Sequence, residues 1–341
     1  MKLFRSLTGS SFSKLSSTAE NNAWSGIRIS TSELVKLSAL AEIYRKESPG
    51  GIKSPLTGTY LSRMKGRGME YAETRAYEPG DDVRRIDWRV TARTDRPHTK
   101  LFREERERPV MIFLDLDRSM YFGTRRRLKA VQAIRAAALF GWEALARRDR
   151  VGSMCVSEKE HVEFKTGGTR KLFLRQLHEI IAIHHRQLEF LLKPDWKYSI
   201  GRSCAEGLAR LAQVVSPGSR VRIFSDGSGL DEKSFPHLRR TTLHNEVSLT
   251  MILDPLERRI PRKGRYRISD GKNSTWLEAV SEVQLNRYSD RIRIHLHDLE
   301  TRMRKLGVRV EYLSSDKEFP TAEPWMSRDF VFKPGIRGVS Y

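Results

Sequence analysis

Two cysteines, Cys155 and Cys204, are all that the 341 residues contain. That is too few for a disulfide scaffold, and both sit in segments that read as buried, so a reducing compartment is expected. Long apolar runs are also missing. The longest, Val110 to Leu116, is broken at Asp115 and falls well short of the roughly 18 residues of a membrane-spanning helix. A soluble cytoplasmic protein is expected, with attachment to the inner membrane's surface as the alternative. Acids are absent from residues 1 to 19, where Lys2, Arg5 and Lys14 stand among serines. The apolar stretch of a secretory signal is absent there too, so the segment reads as a basic tail or, alternatively, a transit-like or membrane-surface segment. The chain lacks a Walker-type Gly-Lys-Ser/Thr loop and a Gly-x-Ser-x-Gly elbow, which argues against ATP hydrolysis and serine-hydrolase chemistry. His178-Glu179 is followed by His184, the wrong spacing for a zinc protease. The close pairs His184-His185 and His295-x-His297 lie far from either cysteine and read as surface or packing residues.

What the chain has in excess is positive charge. It carries 63 Lys and Arg against 42 Asp and Glu, a formal charge of +21, with 38% of residues hydrophobic. The apolar share suffices for a packed core. Basic clusters at 103–108, 125–129, 258–267 and 302–309 would attract nucleic acid or an anionic surface, an attraction that fades with salt. No zinc-finger spacing, basic region with heptads or RNA-recognition aromatic pattern accompanies them, so nonspecific binding is the form this rival function takes.

Along the chain, residues 1–53 read as a basic tail with a short helix over 32–44, where Leu34, Leu37, Leu40, Ala41 and Tyr44 recur at helical intervals. Residues 54–109 are rich in charge, Gly and aromatics and read as short strands and ordered loops with little core of their own. From Pro109 the pattern changes. Strands over 110–114, 151–156, 161–164, 221–225, 247–253 and 308–313 are interleaved with helices over 125–148, 169–183, 203–215, 230–243 and 288–305. This spacing predicts an α/β core of mostly parallel sheet with helices on both faces, over 110–255 and 283–316. Residues 256–282 read as a β-hairpin insertion that packs with 54–109 into a small β-rich module, and 317–341 as a C-terminal tail.

In such a sheet, ligands gather outside the carboxyl ends of strands where the strand order reverses. One strand ends in Asp115-Leu116-Asp117-Arg118-Ser119, another in Ser225-Asp226-Gly227-Ser228. Converging carboxylates and hydroxyls offer the hard oxygen ligands that suit Mg²⁺. The alternative is that Asp115 caps the following turn and Asp226 stabilises a Gly-rich turn. In the earlier string, Asp81, Asp82 and Asp87 alternate with Arg75, Arg84, Arg85, Arg89 and Arg93. This predicts either an ion-pair network anchored by Trp88 or a surface for acidic partners.

The runs Gly66-Arg67-Gly68-Met69-Glu70, Arg75-Ala76-Tyr77-Glu78-Pro79-Gly80-Asp81-Asp82-Val83-Arg84-Arg85-Ile86-Asp87-Trp88 and Thr91-Ala92-Arg93-Thr94 resemble the signature of the DUF58 family. Lys100 through Glu107, the strand ending at Asp115, Asp254-Pro255-Leu256-Glu257, Gly264-Arg265-Tyr266 and Ser269-Asp270-Gly271 fit the same pattern, so the resemblance spans about 54–314. It implies a von Willebrand factor A-like, Rossmann-like domain that works as adaptor or co-chaperone to a MoxR-type AAA+ ATPase, without enzymatic activity. It also implies an Mg²⁺ adhesion site of the form Asp-x-Ser-x-Ser, a Thr from another loop and a later Asp. Asp115, Ser119 and Asp226 match. Asp117 replaces the first Ser and either adds a third carboxylate to the cation or pairs with Arg118 or Arg125 and closes the site without metal. Ser203 and Ser199, then Thr169, are the candidates for the Thr position. A basic nucleic-acid-binding protein is the second reading, and an Mg²⁺-dependent phosphoesterase the third.

Overall fold

The computed structural model of the protein describes residues 26–47, 69–79, 81–104, 107–193, 204–258, 264–269, 274–279 and 282–319. The chain divides into two compact units, Met1–Pro49 with Pro109–Tyr341, and Gly50–Arg108.

The larger unit is a six-stranded sheet in a mixed α/β fold. Its strands are β3 (Pro109–Leu116), β4 (Arg150–Ser157), β5 (His161–Gly167), β6 (Arg220–Ser225), β7 (Glu246–Leu253) and β10 (Arg309–Ser314), in the order β10-β7-β6-β3-β4-β5. All neighbours pair in parallel except the edge strand β5, which runs antiparallel to β4. This order is compatible with a von Willebrand factor A-like fold. The chain starts at β3, moves outward through β4 to β5, then crosses back to β6, so the reversal falls between the ends of β3 and β6.

The central strands are apolar on both sides because helices cover both faces. On β3, successive side chains point to opposite faces: Val110, Ile112 and Leu114 join one buried cluster, Met111 and Phe113 the other. The first face is covered by α1 (Thr31–Glu47), α3 (Lys129–Ala146) and α4 (Arg170–Leu191), the second by α5 (Cys204–Val214), α6 (Phe235–Thr242) and α8 (Glu282–Lys305). Alanines 130, 133, 136, 137 and 138 of α3 are buried and allow close approach. At Gly141 a Cβ would fall 2.1 Å from the Phe173 ring, while Trp142 meets that ring edge-on at 4.8 Å and donates its indole N–H to the Leu34 carbonyl.

Several elements differ from their expected bounds. Helix α4 continues two turns past Ile183 because His184 and Gln187 lie on its buried face with Leu188. Helix α6 begins only at Phe235, because Asp231 accepts the Lys233 and Ser234 amide N–H groups and holds 231–234 as a turn. Residues 317–319 are no tail: Phe319 is buried, Arg135 lies over its ring, and Glu318 pairs with Arg127 and Arg135. A short helix α7 (Pro255–Arg258) follows β7, and β8 (Gly264–Ser269) and β9 (Ser274–Ala279) form the expected hairpin. That hairpin belongs to the larger unit, where β9 touches α8.

The smaller unit pairs β1 (Met69–Ala76) with β2 (His98–Glu104) antiparallel, with a bulge between Tyr71 and Glu73. A 3-10 turn at Val83–Arg85 and helix α2 (Trp88–Thr94) connect them.

Candidate functional site

The carboxyl ends of β3 and β6 bring Asp115, Asp117, Ser119, Asp226 and Ser228 to the reversal point. Asp115 is 1% exposed. One of its oxygens accepts the Ser225 hydroxyl at 2.7 Å, and the other accepts the Asp117 N–H at 3.2 Å. Burial pushes its carboxyl up to about 7, with the charges of Asp226 and Asp117 adding to the effect. Burial likewise raises Asp117. It also raises the Cys204 thiol, helped by the charge of Asp115.

Asp226 behaves differently. Burial would raise it, but Lys129 and Ser228 outweigh that and hold its carboxyl below the usual range. The Lys129 ammonium donates to Asp226 Oδ2 at 2.8 Å and to Glu257 Oε1 at 2.5 Å. These carboxylates overcome the penalty of burial and raise Lys129, whereas burial keeps Glu257 raised. Asp226 Oδ1 accepts the Ser228 N–H and hydroxyl, and Ser228 Oγ lies 2.8 Å from Ser119 Oγ.

Asp254, at the end of β7, supports this arrangement. Its carboxylate accepts the Thr124 N–H and hydroxyl, the Leu256 N–H and the Ser315 hydroxyl. Its own N–H donates to Glu257 Oε2 at 2.9 Å. The Asp254-Pro255-Leu256-Glu257 string thus ties the loop before α3 to the chain after β10 and delivers Glu257 to Lys129.

Asp115, Ser119 and Asp226 therefore come together as the sequence suggested. Arg118 attracts Asp117 and donates its backbone N–H to that carboxylate while bridging to Glu158 at 2.9 Å, and Arg125 lies 3.8 Å from Asp316. Ser199 and Ser203 lie outside the described residues. Thr169 caps α4 by accepting the Leu172 N–H, which gives it a structural task. Ser228 stood in the strand-end string, whereas Lys129 and Glu257 were missed by sequence reasoning; the only signals were a lysine opening a helix and a carboxylate in a signature string. Among the described residues, no three or more His, Cys, Asp or Glu side chains are grouped to hold a metal ion.

In the smaller unit the aspartates hold backbone more than arginine. Asp81 accepts from Arg75 at 2.8 Å and from the Glu78 N–H, Asp82 caps the 3-10 turn through the Arg84 N–H, and Asp87 caps α2 through the Arg89 and Val90 N–H groups. Lys100 lies 3.7 Å from Asp87 and Arg85 lies 3.9 Å from Asp82. Arg84, Arg89 and Arg93 stay exposed. The Tyr77 N–H donates to the Pro97 carbonyl, and Gly80 lies outside the described residues. Trp88 is not the expected anchor, being 70% exposed, and Val83 is 60% exposed.

A family model described as "Protein of unknown function DUF58" matches residues 73–305. Uncharacterised proteins of Mycobacterium bovis and Mycobacterium tuberculosis are 27% identical over 267 residues, covering 77% of this chain and 80% of theirs. Among solved structures, a conserved hypothetical protein BatB from Bacteroides thetaiotaomicron aligns with 17% identity and a TM-score of 0.36, over 62% of this chain and 91% of that one. An aerotolerance-related membrane protein from Bacteroides fragilis aligns with 16% identity and a TM-score of 0.35, over 63% and 93%. Among the described residues, no helix is long and apolar enough to cross a membrane.

Proposed function

The chain belongs to the DUF58 family, and from that premise we propose that it is a non-enzymatic binding protein, an adaptor for a MoxR-type AAA+ ATPase in the assembly or maturation of other proteins. The observation that supports this reading is the state of the strand-end groups. Ser225 and Asp115 form a hydroxyl–carboxylate pair, yet they are 0% and 1% exposed, so a substrate has no access to them. Asp226 and Asp254 are engaged with lysine, hydroxyls and backbone N–H groups. A nucleophile and base facing a cleft, which turnover would require, is not what this arrangement offers.

Partly exposed Asp117 and Ser119 and exposed Ser228 instead form a polar rim above a fixed base. Such an edge suits recognition of another protein's polar side chains. The ATPase as partner comes from the family resemblance, and the cytoplasm, with contact to the inner membrane's surface as the alternative, is the location that goes with it.

Affinity capture of the full chain from nuclease-treated lysate at moderate salt, with partners identified by mass spectrometry, tests the proposal. An AAA+ ATPase is expected with the wild type and is expected to be lost with the rim pair Asp117→Arg/Ser228→Arg. Recovery of nucleic acid without an ATPase when nuclease is omitted would overturn it in favour of the basic binder.

A further inference from the structure

Lys129 is in an unfavourable place for a cation. It opens α3, where the partial positive charge of the helix dipole opposes an ammonium, and it is 2% exposed, where an unpaired charge is costly. No side chain caps this helix start, since Leu128 occupies the capping position. Two carboxylates from separate strand ends, Asp226 and Glu257, meet the ammonium at 2.8 and 2.5 Å, and the Phe122 ring lies 5.8 Å away. A lysine is held there only because the surrounding structure supplies both.

The same carboxylate is the one that a divalent cation would require. Asp226 Oδ2 is taken by Lys129, and Oδ1 by the N–H and hydroxyl of Ser228. Both Asp115 oxygens accept hydrogen bonds from within the protein, and Ser119 is paired with Ser228. Mg²⁺ demands near-octahedral oxygen ligands at about 2.0–2.1 Å. Here it would face an ammonium bonded to one of its ligands and would have to break the serine bonds to the others. The residues present do not fit a resident Mg²⁺.

We infer that Lys129 is a built-in cation that closes this sheet end from within, so that the site implied by the Asp115, Ser119 and Asp226 motif is assembled without a divalent metal. The inference concerns the chain alone and stands whether or not its partner is an ATPase. It also names the residue that separates this site from a metal-dependent one: with the ammonium gone, Asp226 and Glu257 would be two carboxylates with no counter-charge, beside Asp115 and Asp117.

Mn²⁺, followed by the loss of its free-ion electron paramagnetic resonance signal, is the probe for Mg²⁺. The full-length wild type is expected to leave that signal undiminished and to melt at the same temperature in Mg²⁺ and in chelator. Lys129→Met, which keeps the apolar stem, is expected to take up one equivalent of Mn²⁺ and to melt higher with metal than with chelator. Uptake of one equivalent by the wild type, lost in Asp226→Asn, would overturn the inference. So would a folded Lys129→Met chain that takes up none. If that variant folds only when refolded with Mn²⁺, the gain has been read in another form, and if it folds under neither condition the wild-type titration decides.

Discussion

The two compact units employ aspartate in opposite ways. In the smaller, Asp81, Asp82 and Asp87 sit near the surface and accept backbone N–H groups, so each holds a turn within its own few residues. In the larger, Asp115, Asp226 and Asp254 are sequestered and bonded to groups far away in the chain: Asp226 to Lys129 across 97 residues and Asp254 to Thr124 across 130. Local caps order turns whose described residues are mostly exposed, whereas buried long-range bonds fix how strand ends meet. The difference teaches where charge decides the fold and where it is left over for binding. The arginines around Asp82 and Asp87 are exposed, while Lys129 and Arg222 are buried and paired with carboxylates.

The contrast is broken most severely at Lys129. Truncation to Ala leaves Asp226 buried beside Asp115 and Asp117 with its compensating charge removed, and losing one partner of a buried pair generally costs about 3–5 kcal/mol. Chemical denaturation in chelator should show a fall of that order. The double variant Lys129→Met/Asp226→Asn should recover much of it, since removing both charges removes the unpaired one.

A second buried group sharpens the contrast through pH. His184 donates from Nε2 to the Ile27 carbonyl at 2.9 Å, and its Nδ1 lies 3.2 Å from the Tyr121 hydroxyl. Burial lowers its pKa to about 4, with His185 adding to the effect. The folded state therefore keeps the ring neutral where the unfolded chain, with a pKa near 6.5, takes a proton. The stability this supplies is complete above about pH 6.5 and is lost as pH falls toward 4, up to about 3 kcal/mol over that window. Subtracting the pH–stability curve of His184→Gln from that of the wild type should isolate this loss. A flat difference would show that the ring is not held neutral.

Asp254→Asn tests the string that delivers Glu257. The variant loses the charge that four donors share, and charge-assisted bonds are each worth more than neutral ones. A loss of about 2 kcal/mol is expected, smaller than at Lys129 because no like charges are left facing one another. Hydrogen exchange should rise at Thr124 and Ser315 together, since the two segments share this carboxylate.

How much of this was legible in the sequence follows the same division. Apolar runs ending in acids marked the ends of β3 and β6, and the strand–helix alternation marked the sheet, because burial on both faces writes itself into consecutive residues. Asp115, Ser119 and Asp226 could thus be placed together. Lys129 and Glu257 could not, because their pairing is made by the topology, across 128 residues, and the string around Glu257 does not point to Lys129. His184, read with His185 as a surface or packing residue, is a packing one; the helix was expected to end before it because a histidine interrupts the apolar period of α4, yet it lies on the buried face. Trp88 failed in the opposite direction. An aromatic in a charged string looks like an anchor, but this one stands out from a helix too short and too thinly covered to bury it.

That exposed tryptophan gives the smallest effect on stability and the clearest one on binding. Trp88 is 70% exposed, Val83 60%, and Arg84, Arg89 and Arg93 are exposed nearby in the chain. A surface residue with so little cover contributes little to folding, so Trp88→Ala should change stability by less than about 0.5 kcal/mol. Exposed Trp and Arg are, however, the residue types that dominate binding hot spots once a partner desolvates them. Asp87 fixes the start of the helix that presents them, so Asp87→Ala should raise local amide exchange several-fold at Arg89 and Val90, and Asp87→Ser should restore it. Trp88→Ala, tested in the same affinity capture as the rim variants, should retain the wild-type melting temperature while reducing partner recovery. Full recovery with Trp88→Ala, alongside loss with the rim pair, would confine recognition to the strand ends of the larger unit and leave the smaller unit's charges without a part in it.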